Sequence, residues 1–392
     1  MDSCGSLAGS LLDLAGAVFA AGSAWVCGGR GREEVQLGGR RYQVVRPLGE
    51  GGFSQVLLVE EAHSGQQYAL KKIVCHQGTD ALAMAQREID AGQRFRHPNI
   101  VPLVDHAVVE GGPELRGTQI AYLVFPVYRH GSMFDAVMDR DGAGLDELTA
   151  VRVFRGVCAA VSYLHAYRGA ARAPGAGGAA GDRPSLASVD LEEEDSPQPP
   201  RPGRASGYAE LPQADGGEGG AARGALAPPG AGGGYAHRDI KLGNVMLGDD
   251  GATPILMDFG SVRAARATVR TRAEALQLQD DVAENCTMPY RAPELFDVQR
   301  DATIDERTDV WSLGCLLYAL AFGHTPFEGP DAGPGTSIAL AAINARYSFP
   351  SPARHSDRIR RLVDFMLVPD PRQRPFVDQV IALADELYPG GA

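Results

Sequence analysis

Four polar residues whose side chains can bind a cation, accept a proton or neutralise negative charge lie in one short stretch of the chain, YAHRDIKLGNVMLGDDGATPILMDFG (235–260). Asp239 is followed closely by Lys241 and Asn244, and Asp258 comes near the end of the stretch. An amide oxygen and a carboxylate oxygen are hard ligands of the kind that Mg²⁺ prefers. The carboxylate of Asp239 can accept the proton of an attacking hydroxyl. Lys241 can neutralise charge on the transferred group.

A predicted β-hairpin positions these side chains. The apolar runs Val245–Leu247 and Pro254–Met257 flank a Gly/Asp cluster at Gly248–Gly251, which is typical of a turn between two strands. Such a hairpin holds Asn244 at its entry and Asp258 at its exit, so the two oxygen ligands lie close together in space. The alternative is that the acids are solvated loop residues, and the remaining motifs decide between the two.

The order His-Arg-Asp, Lys, Asn and then Asp-Phe-Gly after a hairpin resembles the catalytic core of protein kinases. The resemblance implies that ATP is the phosphoryl donor, that Asp239 is the catalytic base and that Lys241 stabilises the transferred charge. It implies that Asn244 and Asp258 bind Mg²⁺. It also implies that Arg238 grips a phosphate on Thr268, Thr271 or another hydroxyl of the activation segment.

A glycine-rich turn upstream predicts the nucleotide site, because glycines let backbone amides approach phosphate without interference from Cβ. On the next strand, Lys71 is chosen over Lys72 as the phosphate-binding lysine because Ala-Leu-Lys matches the kinase Val-Ala-Ile-Lys motif. A helix predicted over 81–95 carries its ion-pair partner, Glu88. Gly92 stands where kinases place an apolar residue, which predicts a looser helix. The residues expected around the nucleotide are Leu48, Gly49, Glu50, Gly51, Gly52, Phe53, Ser54, Val56, Ala69, Lys71, Phe125 and Val127.

Downstream motifs match the closing parts of a kinase domain. Ala292-Pro293-Glu294 resembles the end of the activation segment, and Thr287 stands where serine/threonine kinases tie the catalytic Asp to the following Lys. Asp309 resembles the residue that anchors the catalytic-loop backbone. Arg374 is expected to be the buried partner of Glu294.

These motifs predict an α+β, bilobal protein-kinase fold spanning 35–390. A small β-rich N-lobe would cover about 35–126, and a larger helical C-lobe, built around a central helix over 147–167, about 132–390. A Gly/Ala/Pro-rich, low-complexity insertion at 169–234 lacks the apolar residues needed for a core and is expected to be disordered.

Composition excludes several other classes. The chain has 392 residues and a net charge of −12, so a nonspecific nucleic-acid binder is not expected. Its six cysteines are scattered without a Cys-x-x-Cys pair, which argues against a zinc site or a disulfide framework. A reducing, cytoplasmic location is therefore expected.

The leader at 1–34 differs from the rest of the chain. Its apolar run is interrupted and falls short of the ~20 residues that cross a bilayer. A poorly ordered or weakly amphipathic leader is one interpretation. Peripheral membrane association through palmitoylation of Cys4 or Cys27 is the other, although Asp2 stands where N-myristoylation needs glycine.

A narrower resemblance rests on LGEGGFS (48–54), AQREID (85–90), LQLQDD (276–281), CTMPYRAPELF (286–296) and IDERTDVWSLGC (304–315). These segments are similar to those of the Numb-associated kinase family. The resemblance implies phosphorylation of Ser and Thr in protein substrates, including autophosphorylation, and a setting in membrane traffic at the Golgi or other endomembranes. It also implies an additional helix between Glu294 and Asp309.

Three alternatives remain for the function. A pseudokinase scaffold is disfavoured because the catalytic residues named above are intact. A small-molecule phosphotransferase is disfavoured by Thr287 and Ala292-Pro293-Glu294, which belong to a peptide platform. A tyrosine kinase is disfavoured by Lys241 and Thr287, which belong to the serine/threonine pattern.

Overall fold

The computed structural model describes residues 33–51, 54–76, 78–111, 117–140, 143–168, 226, 233–328, 337–352 and 354–389. The leader with Cys4 and Cys27, most of the insertion at 169–234, and Gly52 and Phe53 of the glycine-rich turn lie outside these residues. Over the described residues the predicted bilobal fold is confirmed, with a β-rich N-lobe and a helical C-lobe.

The N-lobe strands are β1 (Glu34–Leu37), β2 (Arg40–Glu50), β3 (Ser54–Glu61), β4 (Gln67–Cys75), β5 (Asp105–Glu110) and β6 (Gln119–Pro126). They form a six-stranded sheet with antiparallel pairs in the order β1-β2-β3-β4-β6-β5. Helix α1 (Ala81–Arg94) packs on one face, where Ala85 and Ile89 meet Ile73 and Leu123 in one buried cluster.

The C-lobe core is built on two buried helices. Helix α3 (Glu147–Ala166) begins where the Asp146 carboxylate accepts a hydrogen bond from the Thr149 amide at 3.0 Å, a standard N-cap. Helix α5 (Arg307–Phe322) is buried from Thr308 to its end, which matches its nearly all-apolar sequence. The other helices are α2 (Met133–Met138), α4 (Arg272–Asn285), α6 (Ile338–Ile343), α7 (Asp357–Met366) and α8 (Val377–Leu387).

Short strands carry the catalytic segment. The predicted hairpin is present as β8 (Val245–Leu247) paired with β9 (Pro254–Leu256), with Val245 opposite Leu256. The remaining two-residue strands are β7 (Tyr235–Ala236), β10 (Arg263–Ala264), β11 (Ala267–Thr268) and β12 (Thr303–Ile304). Strand β7 pairs with β10, and β11 pairs with β12, so the activation segment is held at both places by backbone hydrogen bonds.

The position predicted for the additional helix is wrong. Between Glu294 and Asp309, all of which is described, the chain contains only the end of a 3₁₀ turn, strand β12 and the start of α5. A helix that was not predicted, α4, precedes Thr287. It buries little, chiefly Ala275 and Val282, so its apolar pattern is weak and its sequence looks like a polar linker.

The two ends of the inserted segment meet. The Gly234 amide donates to the Tyr167 carbonyl oxygen at 2.9 Å, directly after helix α3 and before β7. Leu226 is buried among the C-lobe core residues, and its amide donates to the Asp90 carboxylate of α1 at 2.8 Å. Of the helices within the described ranges, none combines the length and apolar character that crossing a bilayer requires.

Candidate active site

Asp239, Lys241 and Thr287 form a closed triangle of hydrogen bonds. The Lys241 Nζ donates to Asp239 Oδ2 at 2.7 Å and to Thr287 Oγ1 at 2.8 Å. The Thr287 hydroxyl donates to Asp239 Oδ1 at 2.6 Å, and its amide reaches the same oxygen at 3.0 Å. Asp239 is almost fully buried, so these charge-assisted bonds hold its carboxylate in one orientation.

Asn244 and Asp258 lie at the open end of the β8/β9 hairpin, the first directly before β8 and the second shortly after β9. The Asn244 amide group donates through Nδ2 to the Asp239 carbonyl at 2.8 Å and to its carboxylate at 3.0 Å, which turns Oδ1 away from Asp239. Asp258 has a positive φ of 65°, and its Oδ1 accepts from Lys71 at 3.1 Å. The hairpin thus presents an amide oxygen and a carboxylate oxygen, as its spacing predicts.

Those two oxygens suit Mg²⁺. Among the described residues no hydrogen bond reaches Asp258 Oδ2, and the Asp258 side chain is 37% exposed, so this carboxylate is accessible to a cation. Within the same described ranges no group of three or more His, Cys, Asp or Glu is arranged to hold a metal. Mg²⁺ binding through two protein oxygens, phosphates and water needs no such group.

Lys71 bridges two carboxylates. Its Nζ is 2.8 Å from Glu88 Oε2 and 3.1 Å from Asp258 Oδ1, which links strand β4, helix α1 and the end of the hairpin. Burial alone would lower the pKa of Lys71, but the charges of Asp258 and Glu88 outweigh burial and raise it. The charge of Lys71 in turn lowers the pKa of Asp258. Burial raises the pKa of Glu88, and the charge of Lys71 opposes that rise. Lys71 therefore stays protonated and Asp258 stays ionised at neutral pH.

Asp309 anchors the backbone of the catalytic loop. Its carboxylate accepts from the His237 amide at 2.7 Å and the Arg238 amide at 2.8 Å, and Arg238 has a φ of 68°. Burial alone would raise the pKa of Asp309, but the hydrogen bond and charge of His165 outweigh burial and lower it. Because Arg238 would be strained in isolation, these two bonds hold the loop in its catalytic shape.

The glycine-rich turn joins β2 to β3. Gly51 and Ser54 exchange backbone hydrogen bonds at 2.7 and 3.3 Å across the turn. Opposite this turn, Val56 is paired with Lys71, and Ala69 with Phe125. Of the other residues expected around the nucleotide, Leu48 is exposed at 41%, Gly49 and Glu50 end β2, and Val127 follows β6.

Two structural residues lie below the site. The Arg374 side chain, 1% exposed, contacts Glu294 through two bonds of 2.8 Å. It also donates to the Arg307 carbonyl at 2.9 Å. This bidentate pair joins the end of the activation segment to the segment between α7 and α8.

Several residues at the site do not stand out in the sequence. The ring of Phe259 contacts His237 at 5.1 Å and Phe95 at 6.0 Å between ring centres, so an aromatic column links the catalytic loop to the end of α1. The looser helix expected from Gly92 stays a prediction, and the glycine has a packing role, since a Cβ there would lie 2.6 Å from Leu103 Cβ. The glycine allows close packing of α1 on the segment that follows it.

A group of arginines was also missed. Arg87 of α1 donates to the Gly260 carbonyl at 2.9 Å, and Arg263 pairs with Asp281 of α4 at 2.5 Å. Arg87 could have been identified from its place in the sequence, because it is adjacent to Glu88 on the helix that faces Asp-Phe-Gly. Thr271 caps the start of α4, and the structure shows no bond between it and Arg238.

The comparisons with known proteins agree with this geometry. The protein kinase domain model matches residues 42–169 and 233–383. Serine/threonine-protein kinase 16 of Homo sapiens is 35% identical over 360 residues, which cover 91% of this chain and 94% of that protein. Serine/threonine-protein kinase ppk13 of Schizosaccharomyces pombe is 32% identical, covering 90% of this chain and 92% of the relative. Serine/threonine-protein kinase ENV7 of Saccharomyces cerevisiae is 31% identical, covering 92% of this chain and 96% of that relative.

The chain is similar over most of its length to serine/threonine kinases from animals and fungi. This similarity agrees with the order of the motifs, with the bilobal fold and with the site around Asp239. The chain belongs to the protein kinase family and is a protein serine/threonine kinase that uses ATP with Mg²⁺.

Proposed function

We propose that this kinase transfers the γ-phosphoryl group of ATP directly and in line to a Ser or Thr hydroxyl, with Asp239 as the residue that orients that hydroxyl and accepts its proton. Lys241 stabilises charge on the transferred group, and Lys71, held by Glu88, positions the α- and β-phosphates. Asn244 and Asp258 would hold Mg²⁺, which neutralises phosphate charge when it is bound.

The observation that carries this proposal is the triangle of Asp239, Lys241 and Thr287, with all bonds at or below 3.0 Å. It keeps the base and the charge-stabilising lysine on one side of the cleft before substrate binds. Such preorganisation lowers the reorganisation needed in the transition state. Thr287 belongs to the segment that ends in Glu294, so the same bonds tie the base to the expected peptide platform.

The first experiment compares wild type with Asp239→Asn for phosphate incorporation from labelled ATP in the presence of Mg²⁺. Turnover should fall by about 10²-fold or more, since the amide cannot accept the proton. Nucleotide affinity should remain nearly unchanged because Lys71, Asn244 and Asp258 are intact. Phosphoamino-acid analysis should find label on Ser or Thr. A wild-type rate in the variant would contradict the assignment of the base.

A scaffold with the kinase fold is the second candidate. It predicts measurable ATP binding by wild type with no transfer to any protein, including the chain itself. The intact ion pair of Lys71 and Glu88 at 2.8 Å favours the enzyme over the scaffold.

Autophosphorylation is part of the proposal. Ser185, Ser188 and Ser196 flank an acidic run at 190–195 in the insertion, and they are the acceptors that we propose. Label should appear in wild type without added substrate and be absent from Asp239→Asn. If the triple Ser→Ala variant incorporates as much label as wild type, these acceptors are wrong.

The narrower membership and setting are also proposed. The segments similar to the Numb-associated kinase family support a role in membrane traffic, with the chain cytoplasmic and peripheral at Golgi or other endomembranes. Palmitoylation of Cys4 or Cys27 would supply the anchor. Fractionation of cells that express wild type or the Cys4→Ser/Cys27→Ser variant tests this. Equal membrane fractions for the two proteins would contradict the anchor.

A further inference from the structure

A residue of the inserted segment, Leu226, occupies a site on helix α1. Its amide donates to Asp90 Oδ2 at 2.8 Å, although the two residues are 136 positions apart in the sequence. The Leu226 side chain is 3% exposed and is buried in the same core cluster as Ala91 and Phe95. Only 13% of the Asp90 side chain is exposed, so this charge-assisted bond is shielded from water. The contact therefore holds part of the insertion against α1.

The Asp90 carboxylate is oriented to receive this amide. Its Oδ1 accepts from Gln86 Nε2 at 3.0 Å, one helical turn earlier, which leaves Oδ2 for Leu226. Arg94, one turn later, lies 3.8 Å from Oδ2 and donates through Nη1 to the Tyr235 hydroxyl at 3.0 Å. Two neighbours on α1 thus fix the acceptor, and Arg94 links it to β7, the strand that leads into the catalytic loop.

Asp90 lies on the side of α1 that is turned away from Glu88. The two residues are two positions apart in a helix with 3.6 residues per turn, which separates their side chains by about 200° around the axis. Glu88 faces β4, where its Oε2 is 2.8 Å from Lys71 Nζ. A segment bound at Asp90 therefore supports the helix from behind the ion pair.

The C-terminal end of α1 meets the two ends of the insertion. The ring of Phe95, directly after the helix, lies 5.1 Å from Tyr167 and 5.4 Å from Tyr235 between ring centres. Leu226 precedes Gly234, the partner of Tyr167, by eight residues. A tether of this length keeps the local concentration of the leucine high at its site on α1.

We propose that Leu226 is a positioning residue, and that Asp90 with the apolar surface of Ala91 and Phe95 is the docking site on α1 for the inserted segment. By occupying this site, the segment favours the position of α1 in which Glu88 reaches Lys71. The insertion thus activates the kinase of which it is part.

The energetic argument is one of differential binding. A bound group shifts an equilibrium between two positions of a helix only by the free energy with which it prefers one of them. Here the preference comes from burial of the Leu226 side chain and from the bond to Asp90, which both require α1 to lie near the end of α3 and β7. This inference rests on the function proposed above.

The first test compares full-length wild type, Leu226→Ala and Leu148→Ala at a temperature well below the melting temperature of each protein. Leu226→Ala should lower kcat/KM for ATP by about tenfold, since a large buried contact no longer favours the active position of α1. The loss should appear mainly in KM, because Lys71 without its partner holds the phosphates less well. Leu148, 61% exposed on α3, is the matched leucine, and its variant should behave as wild type.

Rescue by a peptide separates docking from a general loss of structure. The peptide AARGALAPPGA, which corresponds to 221–231, should restore most of the lost activity when it is added to full-length Leu226→Ala at millimolar concentration. The same peptide carrying Leu226→Ala should have no effect. Asp90→Ala should lower kcat/KM in the same direction, and the peptide should not rescue it because the acceptor is missing.

Hydrogen exchange measures docking without turnover. In Leu226→Ala, amides at 88–94 should exchange faster than in wild type or Leu148→Ala, and the peptide should slow them again, while amides of α5 stay unchanged. Wild-type kinetics and exchange in Leu226→Ala would overturn the inference, as would a loss of activity that the peptide does not restore. Absence of transfer by wild type would instead contradict the proposed function, and the effect of the peptide on exchange would then decide whether Leu226 docks on α1.

Discussion

At the scale of single residues, Asp258 combines three demands. Its carboxylate contacts Lys71, its side chain is partly exposed, and its backbone has a φ of 65°. Asp tolerates this left-handed conformation better than most residues because its short side chain can bond locally. Its identity therefore suits both the charge of the site and the turn that aims Phe259 at His237.

His97 provides a residue-scale prediction on pH. Its Nδ1 accepts from the Asn99 amide at 3.1 Å, which requires the neutral ring, and burial lowers the pKa of His97 from 6.5. Because the folded-state pKa is below the unfolded value, the contribution to stability is present above pH 6.5 and is lost as the pH falls through the folded value. The melting temperature of wild type should therefore fall more between about pH 7.5 and about pH 5.5 than that of His97→Gln.

The control for this prediction is His63→Gln, at an exposed turn between β3 and β4. It should keep the pH dependence of wild type. Parallel curves for wild type and His97→Gln would show that His97 does not titrate in this interval.

At the scale of elements, the position of helix α1 depends on the absence of a side chain at Gly92. Gly92 lies one turn after Glu88, and a Cβ there would be 2.6 Å from Leu103 Cβ and 3.0 Å from its Cδ2. Leu103 Cβ is close to the backbone and cannot swing away, so an added methyl group must move the helix. Movement of α1 would withdraw Glu88 from Lys71.

Gly92→Ala is therefore expected to destabilise the protein by about 1–3 kcal/mol through overpacking, although alanine favours a helix by about 1 kcal/mol. The KM for ATP should rise because Lys71 loses its partner. Urea unfolding and steady-state kinetics measure the two effects. Gln93→Ala, on the exposed side of the same helix, is the control and should change neither. A stabilised Gly92→Ala variant with wild-type KM would contradict the packing argument.

The elements also differ in how well they could be predicted from the sequence. The β8/β9 hairpin was predictable because its two apolar runs flank an obvious turn, and with it came Asn244 and Asp258. Helix α4 was not, because it buries little beyond Ala275 and Val282. Its one strong signal is the capping box of Thr271 and Glu274, which marks a helix start.

Asp281 could not be predicted for the same reason. Because α4 is not apparent from the sequence, Asp281 looks like one of several acidic residues in a polar segment. Its contact with Arg263 depends on a helix whose position is set by tertiary packing. Long-range contacts of this kind have no local pattern, whereas the spacing of Asp239, Lys241 and Asn244 within one loop does.

At the scale of the whole molecule, the two lobes are joined by more than the chain after β6. The Asn99 side chain of the loop after α1 donates to the Pro254 carbonyl at 2.8 Å, and its own carbonyl accepts from the Leu256 amide at 2.8 Å. Gly156 of α3 makes room for this contact, since a Cβ there would be 2.3 Å from Pro254. The β8/β9 hairpin is thus supported from both lobes.

The insertion provides a prediction at this scale. Replacing 170–222 by a short Gly/Ser linker should keep kcat within about twofold, because the bond between Tyr167 and Gly234 already joins its ends. Replacing 170–231 also removes Leu226, which is 3% exposed. That variant should lose about 1.5–3 kcal/mol of unfolding free energy, the usual contribution of a buried leucine. Equal stability of the two variants would contradict a role for Leu226.

The bond from Gly234 to Tyr167 also has a consequence for the rate at which the protein folds. Helix α3 and strand β7 are adjacent in space, but 66 residues of chain separate Tyr167 from Gly234. Closing such a loop costs about 2.5 kcal/mol more than closing a four-residue loop, because the entropy of closure grows with the logarithm of length. Contacts between α3 and β7 should therefore form late in folding, and the N-lobe sheet, whose strands follow one another closely, should form early.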